Sequence, residues 1–93
     1  SQSWSVYMVR DGQGRLYTGI STDVARRVSE HQSGRGARAL RGRGPLQLVW
    51  QQRVEDQGSA LRLEYALKQR SKAYKEALVR GELMLPAIAP AGS

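Results

Sequence analysis

The sequence predicts one small α/β domain, a three-stranded antiparallel sheet flanked by helices, with the element order β-β-α-β-α-α. Two runs rich in aromatic and β-branched residues flank a Gly-containing turn near the start of the chain, and a third such run lies near the middle. The segments after the second and third runs have apolar residues at helical spacing. At 93 residues, the chain accommodates a single domain. We place the domain at residues 1–82 and expect the Pro- and Ala-rich tail, residues 83–93, to be disordered.

The first half of the chain is predicted to form a β-hairpin followed by a helix. Residues 11–14, between the two strands, have turn chemistry, and Gly14 suits the left-handed position of a three-residue loop. We therefore predict a loop with an odd number of residues. Residues 21–23 are all candidate helix caps. The predicted strands span residues 4–10 and 15–20, and the predicted helix spans residues 24–32.

The second half is predicted to form a strand followed by two helices. Gly and Ser residues end the first helix, and a short helical turn is expected before a Gly- and Arg-rich loop. Residues 57–59 and Ser71 are the expected caps of the last two helices, and Gly81 is expected to end the final one. In chain order, the expected turn spans residues 37–40, the strand 46–53 and the helices 60–70 and 72–79.

Composition excludes several classes of protein. The chain has no Cys and a single His, His31, which excludes a disulfide scaffold, a thiol nucleophile and a zinc site built from Cys or several His. No apolar run approaches the roughly 20 residues that span a bilayer, so no membrane partner is expected. The printed chain does not open on a basic-then-apolar leader, and we expect a cytoplasmic protein.

The charge pattern indicates a polyanionic partner. The net charge is +7, from 15 basic and 8 acidic residues, and 12 of the basic residues are Arg. Five of these lie between Arg35 and Arg53, a stretch without an acidic residue. Because the Arg fork fits a phosphate with two hydrogen bonds, the pattern predicts sequence-independent binding of a polyanion. A high Arg content can also reflect genome composition alone, and charge does not separate a nuclease from a ribosomal or chromatin protein.

The first predicted helix places an Arg beside its apolar face. Val24, Val28 and His31 lie on one face, at i, i+4 and i+7. Arg27 borders this face, whereas Arg26 points away from it. A half-buried Arg requires an anionic partner, which can be a carboxylate of the protein or a phosphate of a ligand. His31 on the same face can be structural or can take part in proton transfer.

A later helix places a carboxylate among apolar residues. Ala60, Leu63 and Leu67 form the apolar stripe of this helix, and Glu64 projects within the same arc. A carboxylate in this position is costly unless it is paired or binds a cation. Two interpretations stay open: an ion pair with a nearby Arg, or a divalent-metal site in which one carboxylate acts together with substrate phosphate and water.

Two Tyr residues lie on the predicted hairpin. With an odd loop, Tyr7 and Tyr17 fall on the same face of the sheet, because side chains alternate with a period of two. Both can also be ordinary strand aromatics, a favoured role. Gly19, two residues after Tyr17, would allow a backbone or a phosphate to approach closely.

Together these residues resemble the signature of the GIY-YIG endonucleases. Residues 6–8 (VYM) and 16–20 (LYTGI) are similar to the paired motif of that family. The first element has Val in place of the usual Ile, and the second has Thr18 in place of the usual Ile or Val. Three further residues complete the family's pattern: an Arg eight residues after the motif's Gly, a His on the next helical turn and a Glu on a later helix. Here they are Arg27, His31 and Glu64. The resemblance covers residues 4–80 and extends to the small single-domain UPF0213 group and to the nuclease domain of structure-specific enzymes.

The resemblance implies hydrolysis of phosphodiester bonds with the help of one divalent cation, Mg²⁺ or Mn²⁺. Glu64 would hold the metal, which stabilises the leaving oxygen. Arg27 would neutralise charge on the scissile phosphate. Tyr7 or Tyr17 would orient or deprotonate the attacking water, and His31 would share in proton handling or position a Tyr.

The resemblance also implies a nucleic-acid substrate, DNA in preference to RNA, and a role in DNA repair or recombination. Binding is expected to be directed by the backbone or by shape, and a protein partner could supply targeting. A catalytically weak or inactive nucleic-acid-binding module on the same fold is the alternative, and a basic ribosome-associated protein is a second one. The residues expected to contact nucleic acid are Gly19, Arg35, Arg38, Arg41 and Arg43.

Overall fold

The computed structural model of the protein describes residues 3–33 and 44–83. It confirms the predicted fold class and the predicted order of elements. The elements are β1 (Trp4–Arg10), β2 (Leu16–Ser21), α1 (Val24–Gln32), β3 (Gln47–Val54), α2 (Gln57–Lys68) and α3 (Lys72–Val79). The helical turn expected at residues 37–40 and most of the tail expected to be disordered lie outside the described residues. The domain boundary at residue 82 stays a prediction.

Residues 11–15 connect β1 to β2, and within them residues 12–14 form a three-residue loop closed by a backbone hydrogen bond between Asp11 and Arg15. The amide of Asp11 donates to the carbonyl of Arg15 over 2.9 Å, and the amide of Gly14 donates to the carbonyl of Asp11 over 3.1 Å. Gly14 has a φ of 86°, which residues with a side chain rarely adopt. The predicted odd loop, with Gly14 in its left-handed position, is therefore confirmed.

Strand β1 occupies the centre of the sheet, whose strand order is β2-β1-β3, and both neighbours run antiparallel to it. Across β2, Tyr7 pairs with Gly19 and Val9 pairs with Tyr17. Because residues directly opposite each other share a face, and alternate residues of a strand do so too, Tyr7 and Tyr17 lie on the same face of the sheet. This prediction is also confirmed.

The two faces of the sheet are covered by two different cores. Helices α2 and α3 cover one face, and α1 covers the other. The first core consists of Val6, Met8, Ala60, Leu63, Leu67 and Leu78. The second consists of Tyr7, Val9, Val24, Val28 and Leu46. Since β1 contributes alternate residues to both cores, its central residues 6–9 are all buried.

Side-chain caps set the beginning of each helix. Asp23 caps α1 and Ser71 caps α3, as the sequence predicts. Helix α2 begins three residues earlier than predicted, because the carboxylate of Asp56 accepts a hydrogen bond of 2.7 Å from the amide of Ser59. The prediction that residues 57–59 precede the helix was therefore wrong, since they form its first turn. Asp and Ser are equally favourable caps, and the segment contains Asp56 as well as Ser59, so cap preference alone did not determine where the helix begins.

The helices are short. The longest, α2, has 12 residues. In the part of the chain that the structure describes, no helix combines the length and the apolar character needed to cross a membrane. The helices instead cover the two faces of the sheet.

Candidate active site

The centre of the candidate site is a buried hydrogen bond between β1 and α1. The hydroxyl of Tyr7 lies 3.0 Å from Nε2 of His31, and the two rings are tilted, with centroids 6.3 Å apart. Both side chains are buried, Tyr7 at 3% and His31 at 5% exposure. His31 lies in the last turn of α1, on the same buried face as Val24 and Val28, where the helical spacing predicts it.

Gly19 is required beside Tyr7 for a steric reason. It pairs with Tyr7 across the hairpin, and a Cβ atom added to Gly19 would lie 2.7 Å from the hydroxyl oxygen and 2.8 Å from Cζ of Tyr7. Real Cβ atoms do not approach other atoms so closely. In the sequence, Gly19 indicated close approach by a backbone or phosphate; in the structure the ring of Tyr7 occupies that space. Gly19 therefore positions the Tyr7 hydroxyl over β2.

Arg27 lies one turn before His31 and is half-buried. Its guanidinium donates to a carboxylate oxygen of Glu30 over 3.1 Å, and the two side chains are 40% and 34% exposed. The anionic partner that the sequence requires is thus a carboxylate of the same helix in this structure. An i,i+3 pair with this much exposure is worth only about 0.3–0.5 kcal/mol. Arg27 can therefore exchange Glu30 for a phosphate at little cost.

The environment keeps both members of the central pair neutral near pH 7. Burial raises the pKa of the Tyr7 hydroxyl above its usual value, and the positive charge of Arg27 opposes this effect. Glu64 and Glu30 add to the increase. Burial lowers the pKa of His31, Arg27 lowers it further, and Glu30 acts in the opposite direction. A neutral hydroxyl therefore meets a neutral imidazole.

Glu64 approaches the site from the other side of the sheet. It lies on α2, which packs against β1 and β2, and its side chain is 20% exposed. Its charge is close enough to influence the hydroxyl of Tyr7. Its partner is Lys68, at 3.4 Å, and not an Arg. Because Lys68 is 54% exposed, this i,i+4 pair is another weak one.

The oxygen donors at the site fit a magnesium ion that shares its coordination with a substrate. Among the described residues, no three His, Asp or Glu side chains form a cluster that could hold a metal by themselves. Magnesium is commonly bound by one or two carboxylates together with substrate phosphate and water. The partly exposed carboxylate of Glu64, held only by a weak pair, matches that requirement.

Tyr17 shares the face of Tyr7 but has a different partner. Its hydroxyl donates to Oδ2 of Asp11 over 3.2 Å. Oδ1 of Asp11 accepts from the amides of Gln13 and Arg15, at 2.8 and 2.9 Å. Burial by itself would raise the pKa of Asp11, but these donors lower it overall. Sequence reasoning treated Asp11 only as a turn residue, although an Asp that opens a tight turn commonly accepts such amides.

The exposed part of the Tyr7 face continues onto β3. Gln51 is directly opposite Tyr7, and Arg53 is opposite Ser5, so both lie on that face. Both are exposed. Arg53 donates to the hydroxyl of Ser3 over 2.8 Å, and no carboxylate of the described residues lies within ion-pair distance of it. Sequence reasoning did not place either residue at the site, although strand alternation could have done so once the register was known.

Of the residues expected to contact nucleic acid, only Gly19 lies in the described part of the chain. Residues 34–43, which contain Arg35, Arg38, Arg41 and Arg43, lie outside it. The structure thus brings Tyr7, His31 and Arg27 together, with Glu64 within electrostatic reach, and holds Tyr17 apart at the hairpin loop.

The β-β-α-β-α-α fold of the domain agrees with the relationship found by comparison with known proteins. Residues 3–77 match the family model described as the GIY-YIG catalytic domain, and the chain therefore belongs to the GIY-YIG family. Within the family it is similar to UPF0213 proteins.

Three UPF0213 proteins illustrate the similarity. The protein of Aeromonas salmonicida is 68% identical over 77 residues, 83% of this chain but 57% of that protein, so the chain spans little more than half the length of this relative. The Vibrio cholerae protein is 58% identical over 79 residues, 84% of this chain and 78% of its own. The solution NMR structure of a UPF0213 protein from Bacillus halodurans superposes with a TM-score of 0.57 at 41% identity, covering 87% of this chain and 86% of that one.

Proposed function

We propose that this domain is an endonuclease that hydrolyses phosphodiester bonds in DNA with a divalent cation, Mg²⁺ or Mn²⁺. The observation that carries the proposal is the buried Tyr7–His31 hydrogen bond of 3.0 Å, with the charges of Arg27 and Glu64 both acting on the Tyr7 hydroxyl. Membership of a family that consists generally of endonucleases supports it. A protein that only bound nucleic acid would need neither a buried Tyr–His pair nor a carboxylate whose charge acts on it.

Tyr7 and His31 activate the attacking water as a pair. The raised pKa of Tyr7 leaves little phenolate near pH 7, so the Tyr7 hydroxyl by itself is a poor base. His31, kept neutral by burial, can accept a proton at Nε2 when Nδ1 carries the ring hydrogen. Water then gives a proton to the Tyr7 oxygen while Tyr7 gives its own to His31. Tyr7 ends neutral and His31 ends as imidazolium, which Glu30 stabilises.

The hydroxide formed in this way attacks phosphorus, and the bond from phosphorus to the leaving oxygen breaks. Arg27 exchanges its weak partner Glu30 for a phosphate oxygen and neutralises the charge that develops in the transition state. The leaving oxygen takes a proton from solvent, and His31 returns its proton to solvent.

Glu64 would hold the divalent cation, displacing Lys68 from the carboxylate. When bound, the cation supplies Lewis-acid stabilisation of the phosphate and the leaving oxygen. Glu64 lies on α2 while Arg27 and His31 lie on α1, so the scissile phosphate would be held between elements that cover opposite faces of the sheet.

Gln51 and Arg53 would extend the binding surface from the site across β3. We also propose that Arg35, Arg38, Arg41 and Arg43 follow the nucleic-acid backbone. Contacts of this kind recognise phosphate and not base sequence. They support cleavage directed by the backbone or shape of DNA, as in repair or recombination in the cytoplasm, with a protein partner supplying any further targeting.

A cleavage assay tests the proposal. Labelled duplex, single-stranded and branched DNA would be incubated with the parent protein and with Tyr7→Phe, Arg27→Ala and Glu64→Gln, with Mg²⁺, with Mn²⁺ and with chelator. Arg26→Ala, an exposed neighbour on α1, serves as the matched control, and circular dichroism checks the folding of each protein. We expect the parent and Arg26→Ala to cleave DNA when metal is present, and the three site variants not to cleave it.

Two other outcomes would contradict the proposal. Equal weak cleavage by all five proteins would identify a contaminating nuclease. DNA binding by all five without metal-dependent cleavage would instead support the catalytically inactive nucleic-acid-binding module.

A further inference from the structure

Helix α2 exposes two large hydrophobic side chains that neither core uses. Within residues 3–33 and 44–83, the exposed large hydrophobic residues are Leu61 at 48%, Tyr65 at 68% and Leu83 at 43%. Leu61 and Tyr65 are one helical turn apart, so they form a continuous exposed surface. Burying either side chain would contribute about 1.5–3 kcal/mol. Because these side chains are exposed, the folded domain lacks this contribution to its stability, which suggests that the surface has another role.

This surface lies on the same side of α2 as Glu64. Successive residues of a helix are separated by about 100°. Ala60 points into the core and serves as the zero of angle around the helix axis. Measured from it in one direction, the side chains lie at about 40° for Glu64, 80° for Lys68, 100° for Leu61 and 140° for Tyr65. We call these four residues the α2 flank. A molecule bound at Glu64 and leaving the site on this side would pass Lys68 and then reach Leu61 and Tyr65.

We propose that the α2 flank binds unpaired bases of a nucleic-acid strand, with the ring of Tyr65 as a stacking platform. This rests on the proposed function in so far as the same strand would pass Glu64. Leu61 would contact the base beside the ring, and Lys68 would contact the phosphate that joins them. Every base has an apolar face that can stack on an aromatic ring, so the interaction requires no particular sequence.

The occupant is inferred from chemistry and size. Two exposed side chains provide far less than the roughly 1,000 Å² of buried area that a specific protein interface needs. A second copy of the chain would also carry a net charge of +7 and be repelled, whereas a polyanion would be attracted. Bases inside a duplex stack on one another and present only their edges, so a Tyr ring can stack only on bases that are unpaired. The α2 flank therefore favours strands with unpaired bases over blunt duplex.

Binding measured without cleavage tests this inference. The fluorescence anisotropy of a labelled single-stranded oligonucleotide, and of a blunt duplex containing the same strand, would be titrated with protein in the presence of chelator. Tyr65→Ala removes the ring, Tyr65→Phe keeps it, and Leu83→Ala removes an exposed apolar side chain elsewhere. All three positions are exposed, so the variants are expected to fold.

Tyr65→Ala should weaken single-strand binding about 5- to 100-fold and change duplex binding less than about twofold. Tyr65→Phe and Leu83→Ala should bind like the parent. An unchanged affinity of Tyr65→Ala, an equal loss on duplex, or an equal loss in Leu83→Ala would overturn the inference. So would sedimentation showing a parent dimer that Tyr65→Ala dissociates, which would identify a second copy as the occupant.

The result is independent of the chemistry at the site. If the parent binds single strands through Tyr65 but cleaves no DNA with metal, the proposed nuclease function is wrong and the proposed binding role of the α2 flank still holds. If Tyr65→Ala cleaves duplex normally and binds single strands normally, the proposed binding role of the α2 flank is wrong and the proposed nuclease function still holds.

Discussion

The hydroxyl of Tyr7 and Nε2 of His31 are 3.0 Å apart, although 24 residues separate them in the chain. The hairpin brings Tyr7 to the centre of the sheet, and the packing of α1 on the same face brings His31 to it. Burial then keeps both groups uncharged near pH 7. A neutral acid–base pair is thus assembled by the same contacts that form one of the two cores.

Acid should destabilise the domain through His31. Its pKa is lowered by folding, so between about pH 6.5 and that lower value the unfolded chain binds a proton that the folded chain does not. The free energy of unfolding is therefore expected to be constant above that window and to fall as the pH decreases through it. Denaturant unfolding at several values between pH 5 and 7.5 measures this, and His31→Gln should lose the dependence. Parallel pH profiles for both proteins would contradict the prediction.

Gly19→Ala should displace Tyr7. The new Cβ would lie 2.7 Å from the hydroxyl, so the ring or the strand must shift, and overpacking of this kind costs about 1–3 kcal/mol. Denaturant unfolding should show this decrease in the free energy of unfolding, and a cleavage assay should show loss of activity. Gly58→Ala is the matched control, because its Cβ would meet the end of the Arg62 side chain at 3.3 Å and Oδ1 of Asp56 at 3.6 Å, both wider approaches than the one at Gly19. Equal stability of the two variants would show that the ring of Tyr7 is not held against β2.

The two Tyr residues should differ in their importance for cleavage. Tyr7→Phe removes the hydroxyl that touches His31 and should lower the cleavage rate about 10²- to 10⁴-fold. Tyr17→Phe removes a hydroxyl that already donates to Asp11, and most of the activity should remain. Single-turnover rates at saturating protein make the comparison. The reverse order would assign water activation to Tyr17.

Arg53 should contribute one phosphate contact. For duplex DNA in the presence of chelator, Arg53→Gln should reduce the slope of log affinity against log salt concentration by about one. Arg80→Gln is the control, because Arg80 pairs with Glu82 beyond α3, on the opposite side of the sheet. Identical slopes for the parent and Arg53→Gln would exclude β3 from the binding surface.

The ion pair between β1 and α3 should contribute to stability. Arg10 donates twice to Glu76, with both distances 2.7 Å, and the hydrogen bonds from Arg10 lower the pKa of Glu76. Glu76→Gln should therefore lower the thermal unfolding temperature at pH 7, and the difference should disappear as the pH falls below that lowered pKa. Glu82→Gln makes the same charge change at an exposed pair and should have little effect. Equal shifts for both variants would assign the effect to net charge.

The backbone of the site could be predicted from short-range rules. Alternation along the strands and the left-handed Gly14 together place Tyr7 and Tyr17 on one face, and the helical spacing of α1 places His31 on its buried face with Arg27 at the border. Each of these inferences needs only the geometry of one element or one loop. They account for most of the arrangement around Tyr7.

The partners of the charged side chains could not be predicted in this way. Arg27 pairs with Glu30, and Glu64 pairs with Lys68, each within its own helix. Such pairs depend on side-chain rotamers and on how much water reaches them, and many alternatives on a basic surface differ by less than about 1 kcal/mol. The electrostatic influence of Glu64 on Tyr7 depends on how α2 packs against the sheet, which no single element specifies.

Strand β1 belongs to both cores and also carries Tyr7. Its amides, bonded to a strand on each side, are expected to exchange with solvent only when the whole domain unfolds. The hydroxyl to which we assign a role in catalysis is therefore attached to the central strand of the sheet. Substitutions at the buried residues of β1 are consequently expected to change the stability of the domain as well as the geometry around Tyr7.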